Sequence, residues 1–260
     1  MSDCPLSLPD GVERALARTP ARVLVGRAGP AYRTATALQL RADHAAARDA
    51  VHAEIDLTRD FGSERIERFG LFEVRTRADS KAVYLRRPDL GRRLAPDSSE
   101  AMRANCPAGA DLQVVVGDGL SATAVATQAP GLIDRLHAAA EARGWSFGRP
   151  FLVRYCRVGV LNEVGDLLAP DVLVLLIGER PGLATAESLS AYLAYRPRTG
   201  HTDADRNLVS NIHGRGVNPD EAAQRILALA ERFREVGRSG VGIGERGSRA
   251  LQTSERSALP

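Results

Sequence analysis

The sequence predicts an α/β protein, with a Rossmann-like parallel sheet and flanking helices in the C-terminal part and a smaller, mainly helical N-terminal region. Three observations carry that prediction. Residues 171–177 (DVLVLLI) are a nearly unbroken apolar run, too short for a buried helix and rich in β-branched side chains. Residues 151–160 and 111–116 have the same branched and aromatic character, so all three read as strands covered on both faces. Helical patterns separate them, and the resulting order βαβαβ calls for parallel strands joined by crossover helices.

Composition bounds the rest. At 260 residues and 44% hydrophobic, the chain can bury a sizeable core in one or two domains. The expected division is a mainly helical region at 1–100, a Rossmann-like domain at 101–238 and a flexible tail at 239–260. Thirty-five basic residues face 32 acidic ones, and aromatics make up only 5%, so neither a basic stripe nor a stacking platform for nucleic acid is present. Lys81 is the one lysine. Cys4, Cys106 and Cys156 are far apart and lack metal-ligand spacing, which argues against both a disulfide framework and a zinc site. No charged and apolar leader is seen, and no apolar run approaches the ~20 residues that span a bilayer. A cytoplasmic location without membrane contact is expected.

From the N-terminus, residues 1–10 read as a mobile end and 12–18 as a short helix ended before Pro20. A brief apolar segment at 22–25 leads to the turn Gly26-Arg27-Ala28-Gly29-Pro30, which lacks the Lys and Ser/Thr of a phosphate loop. Residues 34–55 are Ala-rich and helical, with a charged face, and His44 and His52 on it are read as solvated or interface residues. Residues 56–80 are weakly patterned and receive no assignment. An edge strand is expected at 82–85. After it, Arg86, Arg87, Arg92 and Arg93 surround a turn fixed by Pro88; such a cluster can meet a carboxylate or phosphate, and a surface or subunit contact is favoured. Residues 97–110 read as a polar connector with a short helix.

Beyond the strand at 111–116, Gly117-Asp118-Gly119-Leu120-Ser121-Ala122 leads into a helix reaching about residue 143, with Ser121 as its N-cap. Gly117, Gly119 and Ala122 match a dinucleotide fingerprint, yet no acidic residue ends the next strand where ribose would need it, so a tight turn is preferred. The strand at 151–160 is followed by a helix at 162–168, stopped ahead of Pro170, and then by the strand at 171–177. Loops beyond the carboxyl ends of parallel strands collect ligands, which singles out Arg157-Val158-Gly159 and Gly178-Glu179-Arg180-Pro181-Gly182. Spacing alone leaves these as either a ligand edge or tight turns with solvated Glu179 and Arg180, and leans to the turns. A strand at 189–195 and a polar loop at 196–206 follow. The last helix starts at Asn218-Pro219, with Glu221 closing a capping box, shows the stripe Ala222, Ile226, Leu229, Phe233 and Val236, and ends at Gly237. Residues 240–260 have no periodicity.

Residues 157–198, RVGVLNEVGDLLAPDVLVLLIGERPGLATAESLSAYLAYRPR, followed by ADRNLVSNIH at 204–213, resemble the small subunit of ethanolamine ammonia-lyase, an adenosylcobalamin-dependent enzyme. The similarity takes in 82–91 and 111–236 well and 22–55 moderately. It implies a large-subunit partner, a TIM barrel that binds ethanolamine, with the small subunit closing over the other side of the cofactor. The implied reaction yields acetaldehyde and ammonia by radical chemistry. Carried over position by position, the implied cofactor contacts are Val158 of Arg-Val-Gly, Glu179 of Gly-Glu-Arg-Pro-Gly, and Leu208, where the family commonly has Cys. A Leu cannot copy a thiol's polarity, so a contact there has to run through backbone or shape. No catalytic residue and no metal ligand is expected on this chain. Asn211-Ile212-His213-Gly214-Arg215-Gly216 comes close to the Asp-x-His-x-x-Gly loop that places a histidine on cobalt in other cobalamin enzymes, but Asn211 stands where the orienting carboxylate should be. His213 is therefore taken as structural or near the cofactor. Enclosure in a bacterial microcompartment stays open. The competing readings are a non-catalytic scaffold homologue, to which Leu208 points, and a nucleotide-binding enzyme, which the broken glycine fingerprint weakens.

Overall fold

The computed structural model describes residues 9–17, 26–182 and 185–244. Helix α1 (Asp10–Ala17) and a small hairpin of β1 (Arg27–Ala28) and β2 (Ala31–Tyr32), turned at Gly29-Pro30, precede α2 (Thr34–His52). Then come α3 (Leu57–Phe61), α4 (Ser63–Phe69), β3 (Phe72–Arg75), α5 (Lys81–Arg86) and α6 (Pro96–Asn105). The remainder runs β4 (Leu112–Gly117), α7 (Ala122–Glu141), β5 (Phe151–Arg154), α8 (Val160–Leu168), β6 (Val172–Gly178), β7 (Leu189–Tyr195), β8 (Asn207–Ile212) and α9 (Pro219–Val236).

One six-stranded sheet, in the order β3-β5-β4-β6-β7-β8, organises the chain. β3, β5, β4 and β6 are parallel, with Val114 opposite Val174 and Val115 opposite Leu175 at the centre. β7 and β8 extend it antiparallel, so the α/β prediction holds with a mixed edge. Successive side chains of a strand point to opposite faces, and that period of two divides the core. Val114, Val116, Leu152, Val174 and Leu176 pack with Leu132, Ile133 and Leu136 of α7 and Ile226 and Phe233 of α9. Val115, Phe151, Val153, Leu173 and Leu175 pack on the other face with Met102 of α6 and Val160, Leu161, Val164 and Leu168 of α8. Strands covered on both faces have no room for polar alternation, which is why they read as continuous apolar runs.

Caps fix the helix ends as expected. The Ser121 hydroxyl accepts the Ala124 N–H at 3.1 Å, and the Asn218 side chain accepts the Glu221 N–H at 2.9 Å. Gly237 closes α9 in the left-handed region (φ 70°), but the expected capping box does not form: the Glu221 carboxylate lies 3.9 Å from Arg225 instead. No described helix is long and apolar enough to cross a membrane.

Three local expectations are corrected. Residues 82–85 belong to a helix, α5: the Ser80 side chain caps it at Val83, and Lys81 and Tyr84, three apart, share its buried face. The strand expected at 151–160 ends at Arg154, because Tyr155 turns into the left-handed region (φ 57°) and the next N–H groups leave the ladder. The unassigned stretch 56–80 contains α3, α4 and β3, and β3 is the parallel edge strand beside β5. The same hydrogen-bonded sheet thus extends into the segment before residue 100. Residues 239–243 are held in place: the Ser239 hydroxyl donates to the Asp205 carbonyl at 2.6 Å, the Gly240 N–H donates to Asn207 Oδ1 at 2.7 Å, and Ile243 is buried. The readings of 1–8, 22–25 and 245–260 lie outside the described residues.

Leu176→Ala should lower stability by about 3 kcal/mol, the cost of a core cavity, whereas Leu38→Ala on α2, where Leu38 is 58% exposed, should change it by less than about 0.5 kcal/mol. Urea unfolding of the two variants measures the contrast.

Candidate functional site at the carboxyl edge of the sheet

Backbone groups are left free where parallel strands end, and three loops converge there, after β4, β5 and β6. Asp118 follows β4, is 2% exposed, and accepts the N–H groups of Tyr155 and Cys156, each at 2.9 Å, on its two oxygens. It thereby takes up the amides that β5 releases as it turns away. Lys81 reaches in from α5: its Nζ donates to the Gly119 carbonyl at 3.2 Å and lies 4.0 Å from Asp118 Oδ2. The ammonium also sits 5.3 Å from the centre of the Tyr84 ring, and the Tyr84 hydroxyl donates to the Cys156 carbonyl at 2.9 Å. Burial raises the Asp118 pKa and lowers that of Lys81, and the charge of each offsets part of the other's desolvation.

The Leu120 N–H donates to the Gly178 carbonyl at 3.0 Å, which binds the β4 loop to the end of β6. Gly119 has φ 58°, and a Cβ there would collide with that same carbonyl. The Gly-Asp-Gly turn is therefore a close-packing device, which agrees with the tight-turn reading.

Glu179 stands at the tip of β6. Its carboxylate accepts the hydroxyls of Ser188, at 2.9 Å, and Ser190, and the N–H of Asn211 at 3.3 Å. Donors from β7, the loop before it and β8 thus hold one charged group in a single orientation. The antiparallel register puts Leu208 opposite Tyr192, and Leu208 is 46% exposed. Val158, Glu179 and Leu208, 50 residues apart at the extremes, all line one cavity of about 250 Å³ together with Tyr84, Arg157 and Tyr192. Arg157 lies 4.5 Å from the centre of the Tyr84 ring, and its own N–H donates to the Gly91 carbonyl at 2.8 Å. The arginine-rich turn at 86–93 is thereby brought to the same edge.

Lys81, Asp118, Tyr84 and Tyr192 were not singled out as site residues from sequence. The signals were there for two of them, a sole lysine and an aspartate between two glycines.

His213 is buried, with Nδ1 accepting the Arg215 N–H at 3.2 Å and Nε2 2.8 Å from Asn211 Oδ1. Both ring nitrogens are engaged in its own loop, and burial, followed by Arg215, lowers its pKa. Cys106 and Cys156 are buried free thiols; burial pushes Cys106 up to about 11 and Cys156 well above the ordinary range, so neither is a ready thiolate. Among the described residues no cluster of His, Cys, Asp or Glu could hold a metal ion.

Fold and site together define an α/β chain with a pocket on the carboxyl edge of a largely parallel sheet. The ethanolamine ammonia-lyase light chain (EutC) family matches residues 9–243. The chain belongs to that family. It is 40% identical over 227 residues to an ethanolamine ammonia-lyase small subunit from Clostridium perfringens, covering 87% of this chain and 75% of the relative.

Lys81→Met should cost about 3 kcal/mol near neutral pH, because a buried carboxylate loses its counter-charge. The folded-state pKa of Asp118 is already raised, and loss of Lys81 raises it further, so the ionised carboxylate is the destabilising form. The deficit relative to wild type should then shrink as the pH falls and Asp118 takes up a proton. A deficit that stays constant with pH in urea titrations would reduce Lys81 to a packing role.

Proposed function

We propose that the chain is the small subunit of an adenosylcobalamin-dependent ethanolamine ammonia-lyase, which converts ethanolamine to acetaldehyde and ammonia. The observation that carries this reading is the convergence of Val158, Glu179 and Leu208, from three separate elements, on one open cavity. These residues suit a corrin. The Glu179 carboxylate has about four lone-pair positions and three donors within the chain, which leaves room for a side amide of the macrocycle. Val158 and Leu208 offer apolar surface to its flat body, and Leu208 does so by shape where the family commonly has a thiol.

When bound, adenosylcobalamin supplies radical chemistry through its cobalt–carbon bond. This chain's own residues bind and orient: Glu179 fixes an amide edge, the apolar pair excludes water from the covered face, and Asp118 with Lys81 keeps the three loops in register. No residue of this chain acts on ethanolamine. A large subunit, a TIM barrel, binds ethanolamine and closes the other side, so the lone chain is inactive. Residues 101–238 hold the cofactor, residues 1–100 contact the large subunit, and the complex works in the cytoplasm or inside a microcompartment. Leu208 supports a second reading, a non-catalytic homologue that has kept the fold and lost the cofactor.

Co-expression with a large subunit, addition of adenosylcobalamin and assay of ammonia separate the two: a complex that binds cofactor and releases ammonia supports the first, and a complex inert in both respects supports the second. Glu179→Ala should weaken adenosylcobalamin binding to the complex by about 10- to 100-fold, the worth of a hydrogen bond to a charged group. An unchanged Kd would remove Glu179 from the site.

A further inference from the structure

Beside the Glu179 cavity lies a larger hollow of about 650 Å³ that shares Arg157, Val158 and Tyr192 with it. Arg92, Arg93, Arg157 and Arg206 line this hollow, and the carboxylates among its lining residues are Glu163 and Asp203. Both are committed. Glu163 accepts Arg93 Nη1 at 3.0 Å and the Leu94 N–H at 2.6 Å, and Asp203 pairs with Arg206. Four guanidinium groups against two engaged carboxylates leave an excess of positive charge.

Two buried guanidinium nitrogens of residues that line the hollow have no hydrogen-bond partner among the described residues: Arg157 Nε and Arg206 Nε. The Arg206 side chain is only 6% exposed, so water does little to satisfy it. Buried donors without acceptors destabilise a fold, and a protein keeps them where something else completes the bond. A small anion with several acceptor oxygens answers all of these features at once, and forked guanidinium donors match phosphate geometry.

We infer that this hollow binds a phosphate group. Its source is either the phosphodiester in the nucleotide tail of a cofactor lying over Val158, an arm that rests on the function proposed above, or a free phosphate.

Inorganic phosphate titrated into the full-length chain, followed by ³¹P NMR, tests the site without any cofactor. Wild type should bind, and Arg157→Gln and the exposed Arg92→Gln should each weaken binding about ten-fold; circular dichroism of Arg92→Gln checks that the fold is kept. In the complex with a large subunit, the affinities of adenosylcobinamide and adenosylcobinamide phosphate are then compared. A preference for the phosphorylated compound that both variants abolish assigns the hollow to the tail phosphodiester. Inorganic phosphate that still binds beside saturating adenosylcobalamin assigns it to a free anion. No phosphate binding by the lone chain together with equal affinity for the two cobinamides overturns the inference. A complex that binds no cobalamin at all sinks the proposed function instead and leaves the phosphate titration to stand by itself.

Discussion

The carboxyl edge of the sheet depends on one buried ion pair. Asp118 accepts two amides from the turn after β5, and Lys81 holds both that charge and the carbonyl of Gly119. Without Asp118, two buried N–H groups lose their acceptor at the point where Tyr155 departs from strand geometry. Without Lys81, the carboxylate becomes an isolated charge in an apolar interior, far costlier than a surface one. Because Lys81 comes from α5, this arrangement also fastens the helical N-terminal part to the strand tips. The turn at 86–93 then follows, through the bond between Arg157 and the Gly91 carbonyl.

A second constraint acts through register. β7 and β8 return antiparallel to β6, and their pairing brings Ser190, Tyr192 and Leu208 beside Glu179. Three hydrogen-bond donors already aimed at the Glu179 carboxylate remove the freedom it would otherwise lose on binding. The proposed contact with a flat, amide-bearing cofactor rests on this rigid acceptor and on the apolar Val158 and Leu208 in the same cavity. The basic hollow alongside is of the opposite character, lined by four arginines of which Arg157 Nε and Arg206 Nε find no acceptor among the described residues.

Much of this fold was legible in the sequence, for identifiable reasons. β4 and β6 are buried on both sides, so their apolar runs stand out; β7 follows the same logic, and α7 and α9 carry side-chain caps that the composition betrays. β3, α3 and α4 went unread because short elements at a sheet margin mix charged and apolar residues without a clean period. α5 was misread because Ala-Val-Tyr-Leu is apolar and partly β-branched over only four residues, and tertiary burial of Lys81 and Tyr84 decided its conformation. The end of β5 had no local signal, since the left-handed turn at Tyr155 is enforced by Asp118, 37 positions away. Of the site, the tips at Val158 and Glu179 were visible from strand position, Leu208 entered through resemblance, and the Asp118 and Lys81 pair was invisible as a pair because nothing local links the two.

β8 is one of the two outer strands of the sheet, and an outer strand is a template on which another chain can polymerise. Its start is shielded by residues 239–243, its far end by the bridge between Ile212 and Val217, and the neighbouring β7 is bulged between Leu189 and Ala191. Between these covered ends Leu208 is 46% exposed. On this edge, exposure to misassembly is therefore narrowed to the few residues around Leu208, and a bound cofactor or partner there would act as a guard against clumping as well as a ligand.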